Sequence, residues 1–167
     1  MEFDQQSSNL LSSLKISGAR EIFRLLTGLG SAYICFPVYL LLFLFCFPCR
    51  QAILSIVVAE LLGFVFIPML RLLTKRARPD KSYRGIRLLP WTRYSFPSHH
   101  SMRSFMMATV ATTHFPSLGP IIFLYAVLIG FSRVYLSRHY LFDVLAGGVL
   151  GMVLALFSLN LTLLLRG

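Results

Sequence analysis

The chain is short of acid. Six Asp and Glu residues stand against sixteen Lys and Arg in 167 positions, for a formal net charge of +10. They form no cluster that would hold a metal ion through carboxylates, so neither a metal nor a cofactor is expected. Cysteine is scarce too: Cys35, Cys46 and Cys49 are odd in number and lie in or beside one apolar run. That argues against both a disulfide framework and a zinc site. Internal repeats and low-complexity tracts are missing, and the only extended polar stretch runs from about residue 71 to 96. The start lacks the design of a secretory signal, because Glu2 and Asp4 occupy the places where basic residues are expected.

Apolar sequence is what remains. Hydrophobic residues make up 56% of the chain, with a mean hydropathy of +0.73, too apolar for a soluble domain of this length. The expectation is one all-α integral-membrane domain over residues 1–167. Leu25–Phe47, Ile53–Leu73 and Leu141–Leu165 are each long enough to cross a hydrocarbon core, which takes about 20 residues. Weaker candidates at Ser98–Phe115 and Leu118–Tyr135, divided by Pro116 and Pro120, bring the bundle to about five spans. Gly147, Gly148 and Gly151 supply a small-residue face for close helix packing. Residues 1–24 mix Leu10, Leu11, Leu14, Ile16, Ile22 and Phe23 with Lys15, Arg20, Glu21 and Arg24, as an amphipathic helix lying in the interface does.

Chemistry concentrates near the polar ends of these segments. His139 and Asp143 are four residues apart, a spacing that puts both on one face of a helix. A carboxylate there can orient an imidazole and fix its tautomer, leaving the other ring nitrogen free to attack an electrophile. Upstream, Arg71-Leu72-Leu73-Thr74-Lys75-Arg76-Ala77-Arg78-Pro79 gathers basic side chains, and Phe96-Pro97-Ser98-His99-His100-Ser101 opens what reads as a helix. With five crossings, all these blocks fall on one membrane face.

The three blocks together resemble the type 2 phosphatidic acid phosphatase signature, Lys-x6-Arg-Pro, Pro-Ser-Gly-His and Ser-Arg-x5-His-x3-Asp. The third block, Ser132-Arg133 to His139 and Asp143, matches at every defined position. Arg71 replaces the lysine of the first, and His99 replaces the glycine of the second. The resemblance implies a lipid phosphatase in which His139 attacks phosphorus, His100 protonates the leaving oxygen, and Asp143 orients His139. Arg71, Arg78, Ser98, His99 and Arg133 would bind phosphate, through guanidinium forks, a hydroxyl and a helix N-terminus. The partners implied are a lipid phosphate and the bilayer, with no nucleic acid and an open oligomeric state. Phosphatidate, phosphatidylglycerophosphate and polyprenyl diphosphates all fit.

Competing readings are a lipid phosphotransferase with the same site, a vanadate haloperoxidase (a soluble class), a silent membrane scaffold, and zinc held by His99, His100 and His139. Lys75, Arg76, Lys81, Arg84, Arg87 and Arg93 read as cations for an anionic membrane surface. His114 reads as interfacial packing. Glu60, inside a span, reads as a structural hydrogen bond or neutral carboxyl slightly ahead of a direct role. Sidedness divides two arguments. Every Lys and Arg except Arg50 and Arg166 falls on the motif face, which the positive-inside rule assigns to the cytoplasm. Many members of the resembling family instead work on the outer or lumenal face.

Overall fold

The computed structural model describes residues 4–6, 10 and 18–165. Most of the N-terminal amphipathic segment, including Leu11, Leu14, Lys15 and Ile16, lies outside them, as does Arg166. Among the described residues the fold is all-helical, with no strand beyond an isolated bridge between Ile86 and Leu89.

Helix α1 (Ala19–Leu29) starts after Gly18, whose φ of 77° glycine adopts without a side-chain clash. Arg20 and Arg24 face outward, while Phe23 packs on Phe131 and Tyr135 with ring centroids 5.4 and 4.7 Å apart. At Gly30 and Ser31 the chain bends by 46° into α2 (Ala32–Phe45). The sequence had read Leu25–Phe47 as one uninterrupted span. The break leaves α2 with 14 residues, about 21 Å at 1.5 Å per residue, and returns residues 25–29 to the amphipathic helix.

A short 3-10 turn, Phe47–Cys49, joins α2 to α3 (Arg50–Thr74). Here a second expectation fails, because Cys46 and Cys49 form a disulfide while Cys35 stays a buried thiol. The proline-containing turn folds the two cysteines back on each other, which an odd count could not reveal. After α3 come the polar loop, then α4 (His99–His114), α5 (Gly119–Tyr135) and α6 (Leu141–Leu164).

Three stretches, Phe47–Thr74, Pro116–Tyr135 and Leu141–Leu164, are long and apolar enough to span, and the bent α1–α2 pair makes a fourth when it is counted as one broken span. The helix count therefore differs slightly from five separate spans. The difference is α4, whose 16 residues reach about 24 Å. It sits as a central post, with Met102, Met106, Ala108 and Val110 fully buried.

Helix α6 approaches that post closely enough to require glycine. A Cβ on Gly147 would fall 2.4 Å from the Ser98 carbonyl oxygen, and one on Gly151 would fall 2.1 Å from that of Met102. This backbone contact draws the N-terminus of α6 onto the N-terminus of α4. With the C-termini of α3 and α5 at the same end, all three motif blocks converge there.

Candidate active site

His139 lies in the α5–α6 turn, one residue before the Tyr140 N-cap, so it does not share a helix with Asp143. Ser137, at φ 55°, turns the chain back so that the N–H groups of Arg138 and His139 both donate to the Arg133 carbonyl, at 3.0 and 3.1 Å. The imidazole is thereby carried into the interior, where it is 1% exposed. Its Nε2 stands 3.1 Å from Arg78 Nη1. An arginine only donates, so Nε2 is the acceptor and the proton sits on Nδ1. Burial first, then the guanidinium groups of Arg78 and Arg133, hold His139 well below the usual histidine range. It is neutral at pH 7.

Arg78 is itself braced. Its Nη1 donates to the Arg138 carbonyl at 2.8 Å, Nε and Nη2 donate to the Thr92 carbonyl at 3.2 and 2.8 Å, and the guanidinium lies over the Tyr83 ring. Burial lowers its pKa. Arg71 Nε and Nη2 donate to the Pro97 carbonyl at 3.3 and 3.0 Å. Arg133 Nη1 donates to Thr27 Oγ1 at 2.8 Å, tying the site to α1. Its buried Nε has no hydrogen-bond partner among the described residues, nor does His139 Nδ1. An unsatisfied buried donor on a guanidinium is suited to receiving an anion.

Arg71, Arg78, Arg133, His99, His100 and His139 line one cavity of about 470 Å³. Tyr33 and Phe64, which face outward, border it on the apolar side. A more open cavity of about 640 Å³, bordered by Asp4, Thr74, Arg76 and Phe142, contains no histidine. Ser98 borders neither cavity. Its Oγ caps α4, accepting from the Ser101 N–H at 3.5 Å and lying 3.1 Å from Ser101 Oγ.

Asp143 is fully buried, but its nearest oxygen lies 3.7 Å from His139 Nδ1, beyond hydrogen-bond length. Its partners are the Tyr140 N–H and Arg76 Nη1, each at 2.8 Å. Arg76 also pairs with Asp4 and lies over the Tyr140 ring. The sequence had left Arg76 to the membrane surface. The deciding signal is contact across 67 residues, which no local pattern carries. A second arginine escaped notice altogether: Arg103 forms a forked ion pair with Glu60 beside His99. Among the described residues no group of three His, Cys, Asp or Glu is arranged to hold a metal ion.

This convergence of basic and imidazole groups at one end of a membrane bundle coincides with a family match. Residues 48–165 fit the PAP2 superfamily. The chain belongs to it. It is 31% identical over 159 residues to a probable lipid phosphate phosphatase beta of Arabidopsis thaliana, covering 75% of this chain and 72% of that protein. Phosphatidylglycerophosphatase B of Bacillus subtilis is 37% identical over 91 residues, covering 48% of this chain and 43% of that protein. Among solved structures, Aquifex aeolicus LpxE superposes with a TM-score of 0.80 at 28% identity, covering 93% of this chain and 94% of its own. A transmembrane PAP2-type phosphatidylglycerolphosphate phosphatase from Bacillus subtilis superposes with a TM-score of 0.72 at 26% identity, covering 96% and 84%. This PAP2 protein is an integral-membrane phosphatase.

Proposed function

We propose that this PAP2 protein hydrolyses the terminal phosphate of a lipid phosphomonoester or diphosphate through a phosphohistidine formed on His139. The observation that carries the reading is one cavity bordered by the guanidinium groups of Arg71, Arg78 and Arg133 together with His99, His100 and His139, the last of them buried and neutral with its free nitrogen held by Arg78.

Arg71, Arg78 and Arg133 grip the phosphoryl oxygens and offset the charge that spreads over them as the reaction proceeds. The His139 Nε2 lone pair attacks phosphorus while the bond to the leaving oxygen breaks. That oxygen keeps the electron pair and takes a proton from His100. Arg78 must shift its Nη1 from Nε2 to a phosphate oxygen for the attack to begin. As positive charge develops on the ring, a movement of ~1 Å brings Nδ1–H within hydrogen-bond length of Asp143. Arg76 and the Tyr140 N–H hold that carboxylate ready. In the second half, His100 takes a proton from water, the water oxygen attacks phosphorus, and the N–P bond breaks to release inorganic phosphate.

The substrates that fit are phosphatidate, phosphatidylglycerophosphate and polyprenyl diphosphates, since the clamp reads only the phosphoryl group. Phosphate release by the detergent-purified protein across those lipids tests the reading, and His139→Ala should abolish turnover. Near-parental hydrolysis by His139→Ala would exclude the covalent route. Activity should persist in excess chelator; loss that zinc or magnesium restores would favour a metal site instead.

A further inference from the structure

The phosphate clamp does not account for His99. Glu60, from the interior of α3, and Arg103, one turn beyond His99 on α4, form a two-pronged ion pair. Arg103 Nε bonds Glu60 Oε1, and Nη2 donates to Oε2 at 3.1 Å. Both residues are buried, and Arg103 Nη1 is further anchored on the Gly30 carbonyl at 3.3 Å. Removing two such charges from water costs several kcal/mol per ion before their attraction offsets it. A chain with only six acidic residues has placed one of them here.

The pair holds an imidazole in place. His99 Nε2 lies 3.5 Å from Arg103 Nη2 and 3.8 Å from Glu60 Oε2, and its ring meets Phe64 edge-on at 5.5 Å. The side chain keeps 22% of its surface exposed and borders the catalytic cavity. Phe64 is itself 45% exposed on the outward face of α3, so His99 stands between the clamp and the lipid side. It also directly precedes His100, the proposed proton donor to the leaving oxygen.

In-line displacement puts the leaving group opposite His139. Phosphatidate leaves as uncharged diacylglycerol. A lipid diphosphate leaves as a lipid monophosphate, and phosphatidylglycerophosphate leaves with its phosphodiester, so both put a second anion on the leaving-group side. Glu60 and Arg103 cancel each other, so what this wall offers a second anion is an imidazole N–H of His99, a donor to an ionised phosphate oxygen.

Building on the phosphatase reading, we propose that His99, held by the Glu60–Arg103 pair, is a subsite for a second phosphate on the leaving group and selects lipids that carry one.

The test is kcat/KM for phosphate release from a prenyl diphosphate, phosphatidylglycerophosphate and phosphatidate in identical mixed micelles. The parent protein is compared with His99→Gly, which restores the family residue, and with His99→Ala. The readout is the ratio of each two-phosphate lipid to phosphatidate, whatever happens to the absolute rates. Loss of one charge-assisted contact should lower that ratio roughly tenfold or more, for at least one of the two lipids and in both variants. The lipid whose ratio falls identifies the source of the second anion. Ratios that stay within about threefold for both lipids would overturn the subsite and leave the phosphatase reading standing. A parent protein that releases phosphate from none of the three would overturn both.

Discussion

Replacing Arg76 with methionine should slow turnover without weakening substrate binding. The guanidinium borders the outer cavity rather than the catalytic one, and it reaches the chemistry only through Asp143. A hydrogen bond to a charged group is worth about 1.5–3 kcal/mol, and breaking a buried ion pair costs up to about 5. Here the arginine side chain is 20% exposed, and Asp143 keeps its bond from the Tyr140 N–H. Both facts favour the lower range, so about 2 kcal/mol is the working figure. At 1.36 kcal/mol per decade that is roughly 30-fold in kcat, with KM nearly unchanged. Asp143→Asn should cost more, roughly 10²-fold, as orienting carboxylates do elsewhere. Because Arg76 acts through Asp143, the double variant should be no slower than Asp143→Asn alone. Steady-state kinetics on the four proteins measures all of this. Parental kcat in Arg76→Met, or a double variant slower by the product of the two single effects, would refute the positioning role.

Stability should depend on His139 and pH. Its folded pKa is depressed, so the unfolded chain takes up a proton first as pH falls below about 6.5. The stabilisation is thus complete above that pH and declines toward the folded pKa. The melting temperature in detergent should drop between pH 7 and 5, and His139→Asn should flatten part of that slope; an identical slope in the variant would refute the assignment. Gly151→Ala should destabilise the fold by about 1–3 kcal/mol, because its Cβ meets the Met102 carbonyl rather than a side chain that could swing aside. An unchanged unfolding midpoint would mean that the α4–α6 contact is looser than described. For sidedness, the positive-inside rule sets the motif end in the cytoplasm, against the outer or lumenal face on which many family members work, and an experiment decides between the two. In a variant keeping Cys49 as its only cysteine, an impermeant thiol reagent should then label intact cells; labelling only after permeabilisation would put the catalytic cavity outside.

What could be read from the residues was whatever is written in consecutive positions. The apolar runs of α3 and α6 announce themselves by length, and Ser132-Arg133 to Asp143 carries its chemistry at fixed spacing. Gly147 and Gly151 were legible as a close-packing face for the same reason. What escaped depends on residues distant in the chain or on backbone detail. The bend at Gly30 and Ser31 interrupts a run whose hydropathy hardly changes. Arg76 looked like any other loop cation until the fold brought it to Asp143, and Glu60 acquires its partner 43 residues away. Ser98 was placed correctly at a helix N-terminus, but its hydroxyl is engaged by its own helix. His139 and Asp143 do approach each other, though across a cap rather than along a helical face.

The Cys46–Cys49 bridge lies at the far end of the α2–α3 hairpin from the catalytic cavity, which is bordered by the first turn of α2 and the last turns of α3. A hairpin cross-linked at its bend and joined by noncovalent contacts toward its tips, where the Phe36 and Phe64 rings stack at 6.1 Å, would part most at Tyr33 and Phe64 and least at the bend. An acyl chain entering the cavity from the bilayer would pass at those tips, so lateral access for lipid and closure of the opposite membrane face would fall to opposite ends of the same two helices.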